Sequence, residues 1–187
     1  MTVTVAAPLT ESRQKLGFSH ESAHNESIEW YTPPEIFKAL GLVFDLDPCS
    51  PGAGLSHVPA RKHYTIDDDG LTSSWFSDQG AMVFMNPPYG KHTPDWMARL
   101  AEHARDGGQG IALVFARTDV KWFQEHCTGA DLICFVSSRI RFYKGNTTDQ
   151  AGSPGAGSML VAYGPDAARA VLDSGLGACM TFKQPVG

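Results

Sequence analysis

The chain has no long apolar run. Its hydrophobic stretches are only a few residues each, against the roughly 20 that a membrane-spanning helix needs. Met1 to Leu9 also lacks the basic start and extended apolar segment of a secretory signal, so the expected compartment is the cytoplasm. Cysteine is scarce. Cys49, Cys127, Cys134 and Cys179 are scattered without a C-x-x-C pair, which reads as four free thiols in a reducing compartment rather than a redox motif or zinc knuckle. No metal is expected, and no obligate protein partner is evident. There is no surplus of basic residues either: 15 Lys and Arg stand against 20 Asp and Glu, a net charge of −5. A protein that clamps many phosphates usually shows such a surplus, which counts against a large nucleic-acid footprint and does not exclude one local basic edge. A nucleotide hydrolase would need a G-x-x-x-x-G-K-[ST] phosphate loop, which is absent.

What is present is an ordinary globular balance, 42% hydrophobic and 19% charged residues over 187 positions. Residues 1–27 are polar and poorly patterned and read as a flexible leader, although Glu11 to Phe18 has the makings of about two helical turns. Residues 28–187 read as one domain. Thr32-Pro33-Pro34-Glu35 has the form of a helix start, with Thr32 as cap and Glu35 at the capping-box position. Ile36, Phe37 and Leu40 then share a face, and Gly41 ends the helix. Strands are expected at Leu42–Leu46, Ala81–Met85, Gly110–Ala116, Asp131–Val136 and Ser158–Tyr163, and helices at Pro94–His103, Val120–His126 and Asp166–Leu172. Residues 51–62 read as loop, and Gly145 to Gly157 as a flexible polar loop.

Alternating strands and helices imply an α/β fold with a mostly parallel sheet and helices on both faces. Such sheets bind ligands at the carboxyl ends of their strands. Asp47, Asn86 and Arg117 each follow the end of an expected strand, so three polar signals converge on one edge.

Asn86-Pro87-Pro88-Tyr89 carries the most chemistry. Two prolines stiffen the turn and remove two backbone donors, leaving carbonyls outward. The Asn86 amide oxygen and the Pro87 carbonyl can each accept one N–H of an aromatic exocyclic amine, a poor nucleophile because its lone pair is delocalised. That draws the nitrogen towards tetrahedral geometry, while Tyr89 can stack on the ring. Positioning and hydrogen bonds then supply the catalysis without a side-chain nucleophile.

This segment resembles the catalytic motif of amino-methyltransferases, and the wider chain resembles the phage-type DNA N6-adenine methyltransferases. The matching pieces are Glu29-Trp30-Tyr31-Thr32-Pro33-Pro34, Phe44-Asp45-Leu46-Asp47-Pro48, Asp69-Gly70-Leu71 with Trp75, Asn86-Pro87-Pro88-Tyr89, Ala116-Arg117-Thr118-Asp119 with Trp122-Phe123, and Arg139-Ile140-Arg141-Phe142-Tyr143. They span roughly residues 28–163. The resemblance implies a Rossmann-like fold, S-adenosylmethionine as cofactor, DNA as substrate and a target adenine turned out of the stack. It implies that Asp47 and Pro48 lie by the methionine part of the cofactor, that Trp30, Tyr31, Thr32 and Pro33 pack on it, and that Asp69 meets its adenine. Where the family pattern is rich in glycine, this chain has Pro48-Cys49-Ser50-Pro51-Gly52. The short interval from Asp47 to Asp69 also implies that the second cofactor strand is reduced or missing.

Arg139, Arg141 and Tyr143 alternate with Ile140 and Phe142, so on a strand the arginines share a face. With Lys144 and Arg117, and with Arg61, Lys62 and Lys121 adding to the same edge, they form the expected DNA-contacting surface. The alternative reading is a solvated edge strand protected by charge. Alternatives for the whole chain keep the chemistry on RNA adenine or protein glutamine, or retain the fold as a non-catalytic DNA-binding relic. Protection of phage DNA from restriction is the role the resemblance suggests.

Overall fold

The computed structural model describes residues 30–75, 80–144 and 154–182. The leader expected over 1–27 lies outside them, as do residues 145–153 of the polar loop. In chain order the elements begin with β1 Trp30–Tyr31, α1 Pro34–Leu40, β2 Phe44–Asp47, β3 Ala60–His63, β4 Met82–Met85 and α2 Thr93–Arg105. Then come β5 Gln109–Phe115, a short π-helical segment Phe123–Cys127, β6 Leu132–Val136 and β7 Tyr143–Lys144. β8 Ser158–Tyr163, α3 Pro165–Asp173 and β9 Gly177–Met180 complete the described chain.

Seven strands form one sheet in the order β3-β2-β4-β5-β8-β6-β9, and β1 pairs with β7 in a separate two-stranded ladder. The period-2 alternation of a strand sends successive side chains to opposite faces, and the core follows it. Leu46, Val83, Met85, Ala112, Val114, Ile133 and Val161 face α2 and the π-helical segment. Phe44, Met82, Phe84, Ile111, Leu113, Cys134 and Leu160 face α1 and α3. Each fully buried Phe or Leu of this kind contributes about 1.5–3 kcal/mol. Behind β2 and β4, Phe37 meets Phe84 at 4.8 Å and Phe44 at 6.3 Å between ring centroids. This aromatic contact fixes α1, and with it the Trp30–Thr32 segment that precedes it.

The expectation of a mostly parallel sheet is overturned. β2 pairs parallel with β3 and β4, and β4 with β5. β8, however, inserts antiparallel between β5 and β6, and β9 is antiparallel to β6. With β1 and β7 also antiparallel, the molecule is a mixed α/β structure. The reason is physical: every residue of β5 and β8 is buried, and a continuous apolar run reports burial on both faces but not strand direction.

Local expectations also change. β3 occupies part of the segment read as loop, because Ala60-Arg61-Lys62-His63 is a polar, half-exposed outer strand with no apolar signature. Thr32 does not cap α1. Pro33 holds the cap position with no side-chain hydrogen bond, and Gly41 ends the helix with a φ of 63°. At α3 the missing cap is supplied from β5: Gln109 Oε1 accepts the Asp166 N–H at 2.8 Å and its amide donates to the Asp166 carboxylate.

Candidate active site

β2 and β4 run side by side and end at the same edge of the sheet, so the chain leaves Asp47 and Met85 in neighbouring turns. A cavity of about 450 Å³ opens there. Trp30, Tyr31, Thr32, Asp47, Pro48, Asp69, Asn86, Pro87, Pro88 and Tyr89 all line it. Pro33 alone of the expected catalytic and cofactor residues lies elsewhere, on a shallower groove beside Ile36.

Asn86 is fixed from two sides. Its side-chain N–H donates to the Trp30 carbonyl at 2.7 Å, and its Oδ1 accepts the Tyr89 hydroxyl at 3.1 Å. Because a carbonyl only accepts, the first bond sets which way the amide is turned, and the oxygen is left towards the cavity. Phe115, the last residue of β5, backs one face of the Tyr89 ring at 4.0 Å and 14° between planes. The turn is thus tied to β1 and to β5, on either side of it.

Asp47 is 3% exposed. Its Oδ1 accepts the Cys49 N–H at 3.3 Å, its Oδ2 accepts the Ser56 hydroxyl at 3.2 Å, and His63 Nδ1 stands 3.6 Å from Oδ2. His63 also meets the Ser50 hydroxyl at 2.9 Å. The Asp47 hydrogen bond outweighs partial burial and raises the His63 imidazole above its ordinary value. Burial, reinforced by the Asp47 charge, pushes the partly buried Cys49 thiol well up, so it is held as a neutral thiol.

Asp69 adopts a φ of 48°, a left-handed conformation that Asp tolerates better than most residues. Its carboxylate accepts the Thr72 hydroxyl at 2.9 Å. Next to it, a Cβ on Gly70 would lie 1.9 Å from the Pro48 carbonyl oxygen. Only glycine permits that approach, and Trp75 Nε1 donates to the Gly70 carbonyl at 2.7 Å. The Asp69-Gly70 and Trp75 pieces therefore pin one cavity wall against the Asp47-Pro48 turn.

The expected DNA-contacting residues are placed less coherently. Arg139 and Arg141 are exposed while Ile140 and Phe142 are buried, so the alternation holds. Yet the segment pairs in no ladder until Tyr143, which corrects the strand expectation. Both arginines border the shallow groove with Pro33 and Glu35, and Arg139 donates to the Pro154 carbonyl at 3.2 Å. Tyr143 meets the edge of His57 at 5.1 Å, and Lys144 stands opposite Trp30 in the β1–β7 ladder. Arg117 is exposed just past β5. Arg61 and Lys62 sit on outer strand β3, with Arg61 bonded to Asp45. Lys121 is paired with Glu125 at 3.1 Å.

Ser50, Ser56, His57, Thr65, Ile66 and Trp96 also line the cavity and were not expected. Ser50, Ser56 and His57 are isolated polar residues in a Gly- and Pro-rich loop, with no spacing signal that would have marked them. Among the described residues no group of three or more His, Cys, Asp and Glu could hold a metal, and no helix is long and apolar enough to cross a membrane. His20-Glu21-Ser22-Ala23-His24 has the H-E-x-x-H spacing and lies outside the described residues.

A family model described as DNA N-6-adenine-methyltransferase (Dam) matches residues 20–174, well over half of the chain. No curated protein and no solved structure matches it.

Proposed function

Given that the chain belongs to the DNA N-6-adenine-methyltransferase family, and is thereby a DNA adenine methyltransferase, we propose that it uses S-adenosylmethionine, that it methylates the N6 amine, and that Asn86-Pro87-Pro88-Tyr89 is its catalytic turn. The observation that carries this reading is the Asn86 side chain, oriented by the Trp30 carbonyl and the Tyr89 hydroxyl on the wall of the cavity.

The residues present fit an amino-acid-bearing nucleoside. The cavity is of the size that small ligands occupy. The Thr32 hydroxyl, in a residue 4% exposed on its wall, has no hydrogen-bond partner. A buried polar atom of this kind costs stability unless a ligand or water completes it. Asp47 and Asp69 give the lining an acidic character that suits a cationic ligand, and Trp30, Tyr31, Thr32, Pro48, Asp47 and Asp69 would hold it. When bound, the cofactor supplies an electrophilic sulfonium methyl.

The chain's own contribution is positional. The Asn86 oxygen and the Pro87 carbonyl accept the two amine hydrogens of the target adenine and localise its lone pair. The Tyr89 ring, backed by Phe115, supplies a rigid stacking surface on its other side, which costs little entropy to order. The target base must leave the duplex to reach this turn. Arg117, Arg139, Arg141, Tyr143 and Lys144 are our candidates for contacts with the DNA backbone, which position without reading sequence.

The test is transfer of labelled methyl from S-adenosylmethionine to unmethylated duplex DNA, followed by digestion to nucleosides. Label in N6-methyladenosine that is lost in Asn86→Ala is the expected result. Label in another nucleoside, or in RNA or protein alone, overturns the substrate assignment.

A further inference from the structure

Trp30 and Thr32 stand two residues apart at β1, so their carbonyls point to the same side in extended chain, about 7 Å apart. The opposite edge of β1 faces β7. Asn86 donates to the first of these carbonyls. His57 Nδ1 meets the second at 3.1 Å, and since a carbonyl only accepts, Nδ1 carries the proton. His57 therefore lines the same cavity as Asn86, held by β1 and by its ring-edge contact with Tyr143. Its other nitrogen, Nε2, has no protein partner among the described residues. Thr32, the residue whose carbonyl holds the ring, carries an orphaned hydroxyl.

A zwitterionic amino-acid group carries a carboxylate that must be matched on burial. Among the described residues no Lys or Arg lines this cavity, and His57 is the one lining side chain that can become a cation. Resting on the proposed use of S-adenosylmethionine, we propose that protonated His57, through Nε2–H, and the Thr32 hydroxyl together receive the cofactor's α-carboxylate. His57 is thereby a residue that makes cofactor affinity depend on pH. Protonation leaves both ring N–H groups satisfied, one by Thr32 and one by the carboxylate. The titratable groups facing the same space are Tyr31, Asp47, Cys49, Asp69 and Tyr89 on the cavity wall, with Tyr143 at the ring edge and His63 behind Asp47. His57 is the group among them bonded to the carbonyl of Thr32, the residue with the orphaned hydroxyl.

The experiment is calorimetric binding of S-adenosylhomocysteine and of methylthioadenosine, which lacks the amino-acid group, to the full chain and to His57→Ala and His57→Gln. We expect His57→Ala to weaken S-adenosylhomocysteine by about tenfold or more, the scale of one hydrogen bond to a charged group, and to leave methylthioadenosine unchanged. His57→Gln keeps a donor, so it should recover part of the affinity and lose the tightening that the wild type shows as pH falls. Equal loss for both ligands would mean a structural role and would overturn the proposal. Unchanged cofactor binding with weaker duplex binding would reassign His57 to a DNA phosphate. If the wild type binds neither nucleoside, the failure lies with the proposed cofactor instead.

Discussion

In one half of the sheet, β3-β2-β4-β5, neighbouring strands run parallel and finish at the same edge, so the turns after Asp47, His63 and Met85 crowd together. In the other half, β8-β6-β9, neighbours run antiparallel and leave at opposite edges. Both halves are packed on two faces by apolar side chains. They differ in what their ends can gather. The parallel half delivers Asp47, Asn86 and the Gly70 wall to one cavity, as is general for the carboxyl ends of parallel strands. The antiparallel half contributes rigidity, and its direct link to the cavity runs through the β5–β8 ladder, where Ser158 stands opposite Phe115 and Phe115 backs Tyr89.

Substitutions should separate these two jobs. Asn86→Ala is expected to lower methyl transfer by about 100-fold or more, the scale seen when one preorganised polar group is removed from a reaction centre. Thermal unfolding should change little. Leu160→Ala, fully buried on β8, should do the reverse: a loss of about 2–5 kcal/mol in stability, measured by denaturant unfolding, with cofactor affinity of the folded fraction unchanged. A loss of affinity in Leu160→Ala would show that the antiparallel half tunes the site and would dissolve the division.

Gly70→Ala lies between the two. The new methyl must displace the Pro48 carbonyl, an overpacking cost of about 1–3 kcal/mol. The same displacement shifts the cavity wall, so cofactor affinity and stability should fall together. Calorimetry and unfolding on one preparation check this. A stability loss alone would mean that the wall relaxes without touching the ligand.

The parallel half was also the more legible from sequence, for the same reason. Asn86-Pro87-Pro88-Tyr89 announces itself because two prolines and an amide follow an apolar strand directly. Asp47 and Gly41 stand at chain positions where their chemistry has few other uses. β3 escaped notice because an outer strand of Ala, Arg, Lys and His carries no apolar alternation. β9, half-exposed Gly177-Ala178-Cys179-Met180, escaped for the same reason. The reversal of β8 was invisible because direction leaves no mark in a residue pattern. Thr32 misled differently: its capping chemistry is real, but Pro33 took the cap position and the hydroxyl was left without a partner.

The smallest effect concerns how the outer strand is tied to the site. His63 on β3 stands opposite Asp47 on β2 in the parallel register, and the Asp47 carboxylate raises its imidazole. A base whose folded pKa exceeds its unfolded one stabilises the fold fully below the unfolded value, about 6.5 for histidine. That contribution fades as pH rises through the raised folded value. The stability gap between wild type and His63→Gln should therefore be widest in mildly acidic buffer and should narrow in alkaline buffer. Its size should stay within about 1 kcal/mol, as for other modest ion pairs. Thermal unfolding of both proteins across that range reads it. A gap that stays constant with pH would mean that the hydrogen bond between Ser50 and His63, and not charge, joins β3 to the strand that carries Asp47.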